Sequence, residues 1–154
     1  MAFFTLPVHA QYLTTKVVDG DTAYFIDNNK KQIKVRLQGI DAPERKQPFY
    51  MESKRYLLKL IGGKTVSLKC DKKDRYKREV CTIYLDDLDV NLALVKAGLA
   101  WHYKKYSFEQ SIFDRKRYSS SEVTARKSKK GLWIEETPLA PWDWRRKKKN
   151  SKGM

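Results

Sequence analysis

Apolar and polar residues alternate through the first third of the chain. Within Ile33–Ile40, Ile33, Val35 and Leu37 share one face while Lys34, Arg36 and Gln38 share the other, the period-two pattern of a strand with one buried side. Lys16–Val18 and Thr22–Ile26 are rich in β-branched and aromatic residues, and the breaks Asp19-Gly20 and Asn28-Asn29 separate the segments. Pro43 stops the third strand because it donates no ladder hydrogen bond. The period then changes. In Pro48–Ile61, Tyr56, Leu57, Leu60 and Ile61 form an apolar stripe, proline suits the first turn, and Gly62-Gly63 end the helix. Thr65–Cys70 and Val80–Leu85 predict two more strands flanking the charged loop DKKDRYKRE. Asp89 caps a short helix with Val90, Ala93, Leu94 and Ala97 at helical spacing, closed by Gly98. Asp114–Lys130 predicts a third, very basic helix stopped by Gly131. Five strands with three interspersed helices predict an α+β fold, and a small closed barrel would remove the exposed strand edges.

At 154 residues the chain suits one domain with a real core, and 41% hydrophobic content is too apolar for a disordered basic chain. It has no run of 18 apolar residues that could span a membrane. A net charge of +15 favours a polyanionic partner, nucleic acid or an anionic membrane. Six of those charges lie in residues 145–154, leaving +9 for the body at 11–144, so 145–154 is expected as a basic disordered tail that holds phosphates non-specifically. Just before it, PLAPWDW (Pro138–Trp144) suggests a non-helical segment pinned by its aromatics. MAFFTLPVHA, residues 1–10, resembles the remnant of a secretory signal cleaved before Gln11; the alternative is a first strand or a frayed start. The first option implies a secreted or periplasmic protein, the second a cytoplasmic one.

Scarcity narrows the chemistry. The only histidines are His9 and His102 and the only cysteines Cys70 and Cys81, so no Cys/His zinc cluster can be assembled. Acid–base groups are then carboxylates, and any metal is a hard cation held by oxygen. Asp19, Asp21, Asp41 and Glu44 sit at the ends of strands that could be neighbours. Singly each reads as a turn residue; together they suit such a cation. Arg36 and Arg78 offer planar forks for phosphate oxygens, with structural ion pairs as the alternative. Tyr76, Trp101, Tyr103 and Tyr106 could stack on bases; Tyr76, beside Arg75 and Arg78, is the best candidate, while Trp101 is assigned to core packing and His102 to a surface or packing role. Cys70 and Cys81 could pair or remain thiols, because their cross-strand register is not legible.

These residues also carry a resemblance. VVDGDT (Val17–Thr22), VRLQGIDAPE (Val35–Glu44), QPF (Gln47–Phe49), DRYKR (Asp74–Arg78), VNLALVKAGLAW (Val90–Trp101) and GLW (Gly131–Trp133) occur in the order seen in the staphylococcal nuclease-like (thermonuclease) family. The resemblance covers about residues 14–135 and implies a five-stranded OB-fold barrel with three helices. It implies a Ca²⁺-dependent phosphodiesterase acting on DNA and RNA and leaving 3′-phosphate ends. Asp21, Asp41 and the Ala42 backbone carbonyl resemble the calcium ligands, with Asp19 in the outer shell. Glu44 resembles the general base, Arg36 and Arg78 the pair that grips the scissile phosphate, and Arg75 and Tyr76 the groups flanking the nucleotide. The chain is expected to act as a monomer. Lys77 stands where the family pattern has glycine, so a turn with positive φ would be strained there. Two other readings compete: a non-catalytic OB module that binds nucleic acid, and a basic surface for anionic lipid. The binding module gives no reason to keep Asp21, Arg36, Asp41, Glu44 and Arg78 together, and the lipid surface leaves the acids unexplained.

Overall fold

Strands β1 (Gln11–Asp19), β2 (Thr22–Ile26) and β3 (Gln32–Leu37) form an antiparallel meander in the computed structural model, which describes residues 10–154. The leader expectation for residues 1–10 therefore lies outside the described residues, Ala10 excepted. The third predicted strand divides: Gly39, at φ 79°, turns the chain between β3 and the two-residue β4 (Ile40–Asp41). Helix α1 (Tyr50–Ile61) follows, then the hairpin of β5 (Thr65–Lys73) and β6 (Glu79–Leu85). β5 pairs with β1, and β6 runs parallel to β3, with Arg36 opposite Val80. That last ladder closes five strands into the OB-type barrel. It leaves β3 and β6 with no bare edge.

The barrel is filled by alternate strand residues, among them Val17, Phe25, Val35, Leu37, Val66 and Ile83. Leu57 and Ile61 of α1 are buried in the same core. The short β7 (Leu88–Asp89) leads into α2 (Val90–Lys96), where the Asp89 carboxylate accepts from the Leu92 N–H at 2.9 Å as the expected N-cap. Asp89 also accepts from the Tyr118 hydroxyl of α3 (Ile112–Lys127) at 2.9 Å, which fixes that basic helix against the barrel.

β8 (Trp101–His102) pairs with β4 and carries Trp101 into a second cluster with Ala125, Leu132, Trp133 and Ala140. His102 is buried, its Nε2 2.8 Å from Gln110 Oε1, and burial lowers its pKa, so it stays neutral and packs. The end of the chain differs from expectation. Pro138–Ala140 is non-helical, but Pro141–Lys152 is a fourth helix, α4, and not a disordered tail. Proline is favoured at the first helical position and Lys and Arg are good helix formers. Trp142 anchors the helix, stacked on Tyr103 with centroids 5.3 Å apart and planes 4° from parallel.

Cys70 and Cys81 face each other across the hairpin and form a disulfide. A bulge produces the pairing: Lys72 lies opposite Val80, yet Cys70 lies opposite Cys81, so Asp71 is the extra residue. Reduction is expected to lower the unfolding free energy by about 2–3 kcal/mol, the loop-closure contribution of a ring this short. Denaturation with and without reductant measures it, and coincident curves would deny the bridge a stabilising role.

Candidate active site

The site is built where β1, β3, β4 and the β5–β6 hairpin meet. In the Asp19–Asp21 turn the Asp21 N–H donates to Asp19 Oδ1 at 3.0 Å. Gly20 is required here by space: a Cβ would come 1.9 Å from Ser53 Oγ, so the turn lies directly on α1. The Asp21 carboxylate accepts from the Ala42 N–H at 2.8 Å and the Thr22 hydroxyl at 3.2 Å, tying this turn to the exit of β4. Arg36, on the outer face of β3, sends its guanidinium between the two acids, 3.6 Å from Asp21 Oδ2 and 3.5 Å from Asp41 Oδ1. It also donates to the Leu37 carbonyl at 2.6 Å.

Crowding acids in a buried place changes their titration. Burial, aided by the neighbouring Asp21 charge, pushes Asp19 up to about 7. Burial likewise pushes Asp41 up to about 6, outweighing its cationic partners. For Arg36 burial opposes the charge, but Asp21, Asp41 and Asp19 together overcome it and hold the guanidinium firmly protonated.

Glu44 stands on the loop after β4. Its N–H donates to Gln47 Oε1 at 2.8 Å, and the Gln47 amide donates in turn to the Leu139 carbonyl at 2.7 Å. Gln47 thus braces the loop against the segment before α4, which gives the QPF motif a physical role. The Glu44 carboxylate itself is 38% exposed, open enough to meet a water molecule.

Across the cleft, Asp74 organises the hairpin tip. It accepts from the N–H groups of Tyr76 (2.9 Å) and Arg78 (3.0 Å) and from Arg78 Nε (2.7 Å). A modest burial penalty is outweighed by these bonds, which hold the Asp74 carboxyl below its usual range. Arg75 and Arg78 lie over the Tyr76 ring at 4.8 and 5.4 Å. Lys77 occupies the left-handed region at φ 62°, the strain that its side chain predicts. Lys77→Gly is expected to stabilise the protein by about 0.5–1 kcal/mol, since relief of about 1–2 kcal/mol of strain exceeds the extra chain entropy of glycine. A thermal melt reads this; a lower melting temperature would show that Lys77 makes a compensating contact.

Asp19, Asp21, Arg36, Asp41, Glu44, Arg75, Tyr76 and Arg78 all line one open cleft of about 750 Å³. Ala42 is buried beside it. Tyr103 and Tyr106, two of the aromatics that could stack on bases, complete the wall together with Lys72, which no motif singles out. The largest omission is Arg145 of α4. Its guanidinium donates to both oxygens of Asp41 (3.0 and 2.8 Å) and to Glu44 Oε1 (2.6 Å). Composition offered no signal for it, because Arg145 opens a basic run that reads the same whether docked or solvated. Among the described residues, no three His, Cys, Asp or Glu side chains make a closed metal cage. The oxygen donors nevertheless suit a hard cation, and a guanidinium already rests on them. Chemically, the cleft can bind an anion on its arginines and hold water at a carboxylate.

A family model described as staphylococcal nuclease homologue matches residues 34–135. An uncharacterized endonuclease of Haemophilus influenzae is 40% identical over 134 residues, covering 87% of this chain and 72% of that protein. An uncharacterized endonuclease of Escherichia coli O157:H7 is 37% identical over 134 residues, covering 86% and 83%. A probable staphylococcal-like nuclease of Oryza sativa subsp. japonica is 38% identical over 122 residues, 79% of this chain but only 32% of that longer protein.

Proposed function

The chain belongs to the staphylococcal nuclease family, and on that premise we propose that it is a Ca²⁺-dependent nuclease hydrolysing phosphodiester bonds of DNA and RNA. The observation that carries the reading is the convergence of Asp21, Arg36, Asp41, Glu44 and Arg78 on one cleft. A non-catalytic binding module would have no use for buried carboxylates facing a polyanion.

Phosphodiester hydrolysis needs water to attack a group whose negative charge repels nucleophiles. Arg36 on β3 and Arg78 in the hairpin loop just before β6 grip the phosphoryl oxygens and stabilise the charge that grows on them. Glu44 orients and deprotonates the water, which bonds to phosphorus as the P–O5′ bond breaks. By analogy with the family the 5′-oxygen is the group that departs, leaving as a hydroxyl once protonated, and the phosphate stays on the 3′ side. Tyr76, backed by Arg75, packs against the neighbouring nucleotide without choosing a base. Asp21 and Asp41 would hold the cation, with the Ala42 carbonyl as the third protein donor and Asp19 in the outer shell. The cation, when bound, neutralises phosphate charge that the arginines alone leave uncompensated. One chain supplies every group, consistent with action as a monomer. The Cys70–Cys81 disulfide supports an oxidising location, secreted or periplasmic.

Plasmid degradation with Ca²⁺, with Mg²⁺ and with chelator tests the reading. Degradation is expected with Ca²⁺ and absent with chelator; activity that survives complete chelation would overturn the cation's role.

A further inference from the structure

The C-terminal helix does more than end the chain. Arg145 takes both oxygens of Asp41, a residue only 1% exposed, and reaches Glu44 with the same guanidinium. Asp41 Oδ1 already has Arg36 at 3.5 Å. One buried carboxylate thus faces two guanidinium groups, which leaves no oxygen free and no charge deficit for a divalent cation to fill. Arg145 and a cation on Asp41 exclude each other, both by occupancy and by repulsion.

The way α4 is attached makes that exclusion reversible. Its first turn is held by the buried Pro141 and by Trp142 stacked on Tyr103. From Arg145 onward every residue is exposed, so Arg145 is the last side chain of the helix that grips the body. The exposed half carries Arg146, Lys147, Lys148, Lys149 and Lys152 and no acid. Mutual repulsion of these charges opposes the docked position of the half beyond Trp144, and there no apolar burial opposes its release, while Trp142 keeps the first turn in place.

We propose that Arg145 sets the cation affinity of the site: α4 occupies Asp41 and Glu44 in the metal-free protein, and Ca²⁺ binds by displacing it. This rests on the reading of Asp21 and Asp41 as cation ligands. A cation that binds only the released form has its apparent dissociation constant raised by the reciprocal of the released fraction. A helix docked about nine-tenths of the time therefore weakens Ca²⁺ binding roughly ten-fold.

Calorimetric titration of the full-length protein with CaCl₂ decides it. Arg145→Gln is expected to bind Ca²⁺ roughly ten-fold more tightly than wild type, Arg145→Lys to fall between them, and Arg146→Gln, whose partner is Asp143, to match wild type. Tryptophan emission supplies a second readout. Ca²⁺ should change the wild-type signal as Arg145 withdraws from the Tyr103 hydroxyl, whose ring stacks on Trp142, and that change should vanish in Arg145→Gln. Should Arg145→Gln unfold, Arg145→Lys carries the comparison alone. Unchanged or weaker affinity in the Arg145 variants would overturn the competition while leaving the cation site standing. Absence of Ca²⁺ binding in wild type and variants alike would instead overturn the site itself, which Asp41→Asn is expected to abolish.

Discussion

Glu44→Gln is expected to lower kcat by about 10²–10⁴-fold, the range for loss of a positioned general base. The variant keeps the size and hydrogen-bonding reach of the side chain, removes its capacity to take a proton and takes the charge from its partly exposed contact with Arg145. The loop does not depend on that carboxylate, because Glu44 is held through its N–H on Gln47 and Gln47 is held by Leu139. Melting temperature and KM should therefore stay near wild type while turnover collapses, the signature of a group acting in the transition state. Steady-state cleavage of an oligonucleotide at saturating Ca²⁺ measures both constants. A loss under about ten-fold would remove Glu44 from the role of base and leave water activation to another group.

Arg36→Ala is expected to behave differently. It should cost at least about 10²–10³-fold in kcat/KM, as loss of a preorganised charge at a developing anion does, and it should also destabilise the fold. Arg36 is the positive charge between Asp21 and Asp41, and its removal leaves buried acids facing one another. The pH dependence follows from the raised values of Asp19, about 7, and Asp41, about 6. Carboxyls whose folded pKa lies above the unfolded value favour the folded state at low pH, and that contribution is lost as pH rises through 6 to 7. Without Arg36 the loss deepens. The melting-temperature gap between wild type and variant, measured without added cation, should be small at pH 5 and larger at pH 8. An equal gap at both values would show that Arg36 does not balance these charges.

The barrel was legible because its signals are local. Alternation along Ile33–Leu37, the Asp19-Gly20 turn and the Asp89 cap each depend on a few neighbouring residues, and the structure reproduces them. The residues of the cleft were legible for a related reason, since DGDT, RLQGIDAPE and DRYKR lie on strand ends whose order is fixed by the fold. What was not legible depends on geometry between distant segments. Regular counting back from the hairpin tip would set Cys81 opposite Asp71, and only the bulge brings Cys70 into place. Arg145 lies 104 residues from Asp41, and its docking is decided by Trp142 meeting Tyr103, a contact no periodicity announces. A run of Arg and Lys carries the same composition in either setting, so charge alone assigned it to solvent.

The parallel ladder between β3 and β6 also has a kinetic consequence. It joins Val35, Arg36 and Leu37 to Glu79, Val80 and Cys81, a loop of more than forty residues, whereas the two hairpins join neighbours. Contacts across such a loop form late, because its closure entropy is spent before the contact rewards it. Arg36 and Arg78 come to one cleft only through that seam. Until the seam zips, a refolding molecule can hold most of its hairpins and still have no place for a phosphate, so return of catalysis clocks barrel closure more faithfully than return of β-structure.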